Sequence, residues 1–346
     1  MTAVQRVDPR TDPLWRRLAE GVHGNLFVSP PWIDAVSATY GFRPTARVSI
    51  DTSGRPVGGV AWVDVRDMRG GRRLALPFCD RADPMVKHLA AWTALADDAF
   101  AGDLPLTLRC LDTNPAATDP RFECVDEAAW HVTSLNRPLG ELYGAFRSQT
   151  RRNIATAERA GVEVVLRADA KAVQDFHRLH VRLRKRKYRL LAQPLDLFER
   201  IWKAFAPADA VRTALALVDG QPVAGALYLV WQDTVYYKFG ASTAEFLPLR
   251  PNDALHWQLI CWAHERGLRA LDWGLSDLDQ PGLCAYKRKW ASVEGRIRTL
   301  NAGGAPTGRS NEIEQTLRVV TDLLTDPSVP DAIAERAGAS LYRLFC

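Results

Sequence analysis

Residues 270–292, ALDWGLSDLDQPGLCAYKRKWAS, place a tyrosine-lysine pair, Tyr286-Lys287, behind a strand-like run ending at Asp272 and Gly274 and an irregular loop. A hydrophobic core repels an ammonium, whereas chemistry can retain one. Lys287 is therefore the leading candidate site residue, with Lys289 and Trp290 just behind it. Carboxylates accompany it: Asp277 and Asp279 follow Gly274, and Asp80 lies in LPFCDRADP at the end of an earlier strand. Loop aspartates also form turns, and no side chain stands out as a general base. His256 falls in an amphipathic stretch, where a lone histidine is ordinarily packed or solvated. A second chemistry is suggested by VRLRKRKYRL, which crowds Arg182, Arg184, Lys185, Arg186, Lys187 and Arg189 into eight residues. Residues 131–200 carry fifteen Lys/Arg against seven Asp/Glu, although the whole chain is only +5. Such a run is either a solvated helix end favoured by the helix dipole, or a phosphate-binding surface that gains affinity by releasing counterions. Arginine predominates in the segment, which suits bidentate phosphate contacts.

The elements that position these residues follow from length and pattern. A chain of 346 residues, 47% hydrophobic with eleven tryptophans, predicts two packed domains. The start, MTAVQRVDPR, has no apolar signal region, and no stretch reaches the ~18 uninterrupted apolar residues of a membrane span, so a cytoplasmic protein without membrane insertion is expected. Six cysteines without a C-x-x-C pair predict reduced thiols, no disulfide and no metal site. Two short helices open the chain, the second capped by Ser29 ahead of Pro30-Pro31. TARVSI, PVGGVAWVDVR and RLALPF form a meander; a helix over 84–101 and strands at LPLTLRCL and AWHVTSL complete a first unit, 1–137. The second unit, 138–300, opens with a helix capped by Ser148, then a strand, long helices over 169–187 and 194–206, three antiparallel strands, a helix capped by Asn252, and the strand LRALDWG. A helical extension, 301–346, ends the chain. The fold class is α/β (α+β), with mixed, mostly antiparallel sheets flanked by helices.

At this point the sequence resembles a known family, the FemABX aminoacyltransferases, which carry two GNAT-like modules with a cleft between or beside them. The resemblance runs from SPPWIDAV to KRKWASVEG and rests on three segments in order: RRNIATAERAGVEV, VYYKFGAS and LDWG…GLCAYKRKW. It implies an enzyme that moves an amino acid from aminoacyl-tRNA, as co-substrate, onto the amine of a small acceptor, with no other cofactor. It further implies that Lys287, with Tyr286 beside it, donates to an oxyanion or holds the 3′ end of the tRNA. Arg184 and Tyr188, one turn apart on a helix, are candidates for the acceptor, and Asp80, Trp32 and Asp277 for the cleft. Tyr237 and Phe239, two apart on a strand, share one face and either pack in the core or line the cleft. Arg182, Lys185, Arg186, Lys187, Arg189 and Lys289 are the candidate tRNA contacts, and a monomer is expected.

Two departures from the family pattern narrow the expectation. Members acting on a UDP-linked wall precursor place a lysine shortly after the first-helix tryptophan; Trp32 is followed by IDAVSATYG instead, which disfavours that acceptor. The interval 138–300 also leaves no room for a long helical arm. An acyl-CoA-dependent GNAT acyltransferase is the competing enzyme class, but it cradles a pyrophosphate with glycines at a helix N-terminus. Here TAEFLPLRPND supplies Leu247, Pro248 and Pro251, and prolines remove amide donors. A non-catalytic RNA-binding adaptor is the third reading.

Overall fold

The computed structural model describes residues 3–101, 104–304 and 308–346. Its first half holds β1 (Ala3–Val7), α1 (Pro13–Ala19), α2 (Pro30–Tyr40), β2 (Pro44–Ile50), β3 (Pro56–Asp67), β4 (Gly70–Leu74), α3 (Leu89–Ala99), β5 (Leu106–Leu111) and β6 (Glu123–Ser134). Asp12 caps α1 by accepting from the Leu14 amide; Pro30-Pro31 open α2 and left-handed Gly41 closes it. The second half holds α4 (Leu139–Ala145), α5 (Ser148–Arg159), β7 (Glu163–Arg167), α6 (Ala170–Arg186), α7 (Leu195–Phe205), β8 (Val211–Val218), β9 (Gln221–Trp231), β10 (Thr234–Ser242), α8 (Pro251–Glu265), β11 (Ala270–Asp277), α9 (Pro281–Arg288) and β12 (Val293–Ala302). The extension is α10 (Gly308–Leu324) and α11 (Asp331–Leu341). Asp219-Gly220, with φ of 49° and 72°, make the turn between β8 and β9, as the twist of a tight hairpin demands.

Several element ends differ from expectation. Ser148 is the first residue of α5 rather than its cap, and Asn252 lies inside α8, donating to Ser242 Oγ at 3.3 Å, with Arg250 as the cap. The helix expected from residue 84 starts at Leu89, because the loop before it is tied to neighbouring strands: Ala82 N–H donates to the Arg109 carbonyl and Met85 N–H to that of Gly59. At the site, β11 does not end at Gly274 but continues to Asp277 through a bulge. Tyr286-Lys287 rides on α9, which Pro281 opens, and not on a loop.

The strands join one sheet, ordered β1-β2-β3-β4-β5-β12-β6-β11-β10-β9-β8-β7. From either edge inward, four antiparallel strands meet one parallel neighbour, β4 against β5 on one side and β10 against β11 on the other. The strand beyond each comes from the other half of the chain: β12 pairs with β5, and β6 with β11. β12 and β6 also pair with each other over Val293–Asn301. The halves thus exchange their last strands, and the expected pair of sheets is a single mostly antiparallel one. The connection around residues 137–138 lies between β6 and α4.

Helices cover both faces, so central strands are apolar on both sides. On β9, Leu227 and Leu229 pack with α6 and α7 residues Phe176 and Phe198, while Ala226 and Tyr228 pack with Leu255 and Leu259 of α8. No helix among the described residues is long and apolar enough to cross a membrane.

Candidate active site

Two bulges build the site. β10 and β11 pair only over Thr234–Tyr236 and Ala270–Asp272. Beyond that, β10 carries Lys238 as an extra residue between Tyr237 and Phe239, and β11 breaks register between Asp272 and Leu275. The loop after β4 reaches this point from the first half. Its Asp80 accepts from the Leu275 amide at 3.2 Å and from the Lys238 ammonium, while Lys287 donates to the Leu275 carbonyl at 2.7 Å. Leu275 is therefore held on its N–H by a carboxylate and on its C=O by an ammonium. Gly274 has φ +68°, and a Cβ there would lie 2.2 Å from Asp80 Oδ2, so only glycine admits the carboxylate. Asp272 accepts from the Gly274 amide (2.8 Å) and Trp130 Nε1 (3.0 Å), with the Arg81 guanidinium 3.6 Å away. Arg81 also pairs with Asp83, which accepts from the Leu111 amide at 2.7 Å and from Asn25 at 3.2 Å.

Three carboxylates (Asp80, Asp83, Asp272) thus face three cations (Arg81, Lys238, Lys287), with no side chain of the six above 19% exposed. An uncompensated buried charge costs several kcal/mol, so this balance is a condition of burial. Burial pushes the Asp272 carboxyl up against the attraction of Arg81. Burial acts the same way on Asp80, but attraction and hydrogen bonding from Lys238 outweigh it and hold that carboxyl below its ordinary value. Lys287 is lowered to about 8, chiefly by burial, with Asp80 and Asp272 opposing. It is mainly an ammonium at neutral pH, able to donate to a developing oxyanion and to shed a proton more readily than a free lysine.

Beside these ion pairs lies a cavity of about 170 Å³, bordered by Trp32, Cys79, Gln193, Lys238, Phe239 and Tyr342 among others. The Lys238 ammonium lies 4.9, 5.3 and 5.4 Å from the ring centroids of Phe27, Trp32 and Phe239, an aromatic cage for a cation. A wider groove of about 690 Å³, bordered by Arg17, His23, Lys87 and His88, touches none of the six charged residues.

Of the residues expected from sequence, Lys287 and Asp80 meet in the ionic cluster, and Trp32 and Phe239 border the cavity. Tyr237 does not share the face of Phe239. The extra residue Lys238 reverses the alternation, so Tyr237 packs on His256 and Trp273, and Phe239 on His180 and Phe198. Tyr286 sits by His256 with the Lys289 ammonium 4.1 Å from its ring centroid, its hydroxyl buried without a hydrogen-bond partner among the described residues. Asp277 ends β11, its carboxyl pushed up by burial and by Asp279. Arg184 donates to the Leu191 carbonyl at 3.1 Å. Tyr188 lies past the end of α6, because the helix stops at Arg186, and so does not continue the helical face of Arg184; its ring lies 5.2 Å from the Lys187 ammonium. Sequence reasoning missed Lys238, Arg81, Asp83, Gln193 and the buried role of Asp272. For Lys238 a signal was present, a lysine inside the aromatic strand VYYKFGAS.

The basic run divides. Lys185 is buried, donating to Asp331 at 2.9 Å and to the Val329 carbonyl; Arg189 binds the Thr325 and Asp322 carbonyls where α10 ends. The expectation that these two face RNA is corrected: Arg189 binds carbonyl oxygens left open at the C-terminus of α10, Lys185 pairs with Asp331 at the start of α11, and both dock the extension. Arg182, Arg186 and Lys187 are exposed. Lys289 is half-withdrawn and pairs with Asp253 at 2.6 Å, which diverts it from a free phosphate-contact role.

The acetyltransferase (GNAT) domain family matches residues 144–288. The lipid II:glycine glycyltransferase of Staphylococcus haemolyticus (strain JCSC1435) is 28% identical over 104 residues, covering 28% of this chain and 25% of that protein; the chain thus spans about a quarter of that relative's length. The FemX crystal structure superposes with a TM-score of 0.68 at 14% identity, over 91% of this chain and 100% of that one. A tandem GNAT protein from the clavulanic acid biosynthesis pathway gives 0.53 at 14% identity, over 89% and 100%. L-PGS from Bacillus licheniformis gives 0.53 at 14% identity, over 92% and 97%. At these identities the superpositions speak for the fold. The GNAT match takes in the aromatic strand β10 and Lys287 of α9, and with the glycyltransferase and FemX likenesses it makes this chain FemABX-like, on a mixed α/β fold with tandem GNAT neighbours.

Proposed function

We propose that the chain is an aminoacyltransferase that moves an amino acid from aminoacyl-tRNA onto the amine of a small acceptor, forming an amide. The observation that carries this reading is Lys287, a buried ammonium bonded to the Leu275 carbonyl at a strand bulge, with the Asp80–Lys238 pair held on the N–H of the same residue. An aminoacyl ester is already activated, so the protein has to bring the amine to the carbonyl and stabilise the oxyanion. The amine nitrogen attacks, the carbon–nitrogen bond forms, the ester carbon–oxygen bond breaks, and the ribose oxygen leaves with a proton from the amine. Such a path demands no protein base, in keeping with the absence of an exposed candidate among the cluster carboxylates. Lys287 would meet the oxyanion or the tRNA 3′ end, and a tRNA donor would put the reaction in the cytoplasm.

The acceptor is an amino acid, a peptide or an antibiotic intermediate. The lipid II-directed relative keeps a cell-wall precursor among the acceptor classes. The acyl-CoA reading is disfavoured by the N-terminus of α8, where Asp253 occupies the first turn and Pro251 removes an amide donor from the end a pyrophosphate would meet. Radiolabelled aminoacyl-tRNA, incubated with a pool of small amines, should pass its label to an amine with wild-type protein and not with Lys287→Met of equal melting temperature. Wild-type rates from the variant would remove Lys287 from the reaction. Label passing from acyl-CoA alone would change the donor, and tRNA binding without any transfer would leave an adaptor.

A further inference from the structure

We infer that the 170 Å³ cavity is a side-chain pocket for an amino-acid partner of the reaction, taking a small uncharged side chain, with Gln193 as hydrogen-bond donor and Tyr342 as end wall. The inference rests on the aminoacyl-transfer reading and deepens it. A volume of about 170 Å³ holds roughly five or six water-sized groups at ~30 Å³ each, the scale of a short side chain. Its border is mainly apolar, with Trp32, Val36 and Leu197 as examples, and its one charged member, Lys238, is already paired with Asp80. A charged guest would find no counterion.

Gln193 is oriented from behind. Its Oε1 accepts from His180 Nε2 at 2.7 Å, and its backbone carbonyl accepts from His177 Nε2 at 3.0 Å. An amide oxygen only accepts, so each imidazole carries its proton on Nε2. The side-chain NH₂ of Gln193 has no protein partner among the described residues, which leaves two donors for a guest. Burial lowers His180 to about 3, so the imidazole stays neutral across working pH and its Nε2 contact with Gln193 carries no charge. His180 touches no substrate and is a positioning residue. Tyr342 arrives from the extension, 6.1 Å from the Tyr40 ring and 5.3 Å from that of Phe78. Gly338 of α11 packs so closely on Ala192, next to Gln193, that a Cβ would lie 2.2 Å from the Ala192 carbonyl oxygen. The wall and the donor are thereby fixed to the same segment.

The test uses the full chain as wild type, Gln193→Leu, His180→Phe, Tyr342→Ala and Tyr342→Trp, with melting temperatures alongside. Free amino acids are ranked by saturation-transfer NMR. The same amino acids are then ranked as donors, charged on tRNA, and as acceptors. Wild type should favour short uncharged side chains. Tyr342→Ala should shift the ranking toward longer ones by roughly five- to tenfold and Tyr342→Trp toward shorter ones; Gln193→Leu and His180→Phe should lose a similar factor only for side chains bearing a hydrogen-bond acceptor. The arm that shifts names the partner, donor or acceptor. Rankings unchanged across the variants, in binding and in transfer, overturn the pocket. A shifted binding ranking without transfer from any charged tRNA sinks the aminoacyl-transfer reading and leaves the pocket; no binding and no transfer overturns both.

Discussion

Lys287 holds its proton conditionally, and this gives rate and stability opposite pH dependences. Its value in the fold, about 8, lies below the ordinary 10.5, so between those values the unfolded chain binds more protons and stability rises with pH. That contribution is complete above 10.5 and is lost as pH falls through 8. A rate that depends on the ammonium runs the other way, falling about tenfold per pH unit above 8. Transfer rates and melting curves at matched pH should therefore diverge, and Lys287→Arg, charged throughout, should lose the descending limb; its persistence in the arginine variant would assign it to another group. Gly274 offers a second check. Gly274→Ala forces a left-handed alanine, costing about 1–2 kcal/mol, and displaces the Asp80 carboxylate, so transfer should fall far more than that loss of stability explains. Activity within twofold of wild type would show that the Asp80 contact is dispensable. Lys287 and Asp80 were legible because charged residues in otherwise apolar or strand-ending segments are conspicuous. Lys238 was equally conspicuous as a lysine in an aromatic strand, but its role was not legible, since a bulge decides which way its side chain points and its partner lies 158 residues away in sequence.

At the scale of elements, the cations at the end of α6 divide between two roles. Lys185 and Arg189 hold the extension, and Arg186, although exposed, lies 3.8 Å from Asp331 of the same extension, whereas Arg182 and Lys187 remain as an exposed pair. Reversing the exposed pair should weaken tRNA binding and flatten its salt dependence by a slope of about 0.7–0.9 for each phosphate no longer neutralised. Lys185→Ala should instead leave the slope alone, lower the melting temperature, and raise hydrogen exchange in α10 and α11. A salt slope that responds to Lys185 and not to the exposed pair would return the buried lysine to the RNA-facing surface. Helix and strand identities here were largely readable: the 169–187 helix became 170–186 with Asp169 as its cap, and the three antiparallel strands expected after it formed as β8, β9 and β10. The cap of α8 was misread because Pro251 and left-handed Arg250 start that helix before Asn252 can cap it. Which cations of a dense run face outward depends on what docks there, and a helix docked from 130 or more residues further along leaves no local trace.

Exchange of the final strands makes the two halves one mechanical unit. β12 lies between β5 and β6, and the Asp80 loop of the first half completes the bulge in β11 of the second, so neither the sheet nor the ionic cluster is whole within one half. Sequence pattern finds strands by alternation but carries no record of which edge a strand joins, so two sheets were the natural expectation and a single exchanged one was not legible. The exchange has an energetic consequence. A chain of independent domains unfolds in separate steps, whereas halves that each supply the other's strand lose paired backbone and buried charge partners together. Urea unfolding followed by tryptophan fluorescence and by far-ultraviolet circular dichroism should give one coincident transition, with a slope set by the surface exposed by the whole chain rather than by half of it. Charge substitutions within the cluster should move that single midpoint. Two resolved transitions, one insensitive to Asp80→Ala and the other shifted by it, would show that the halves fold separately and that the exchanged strands do not couple them.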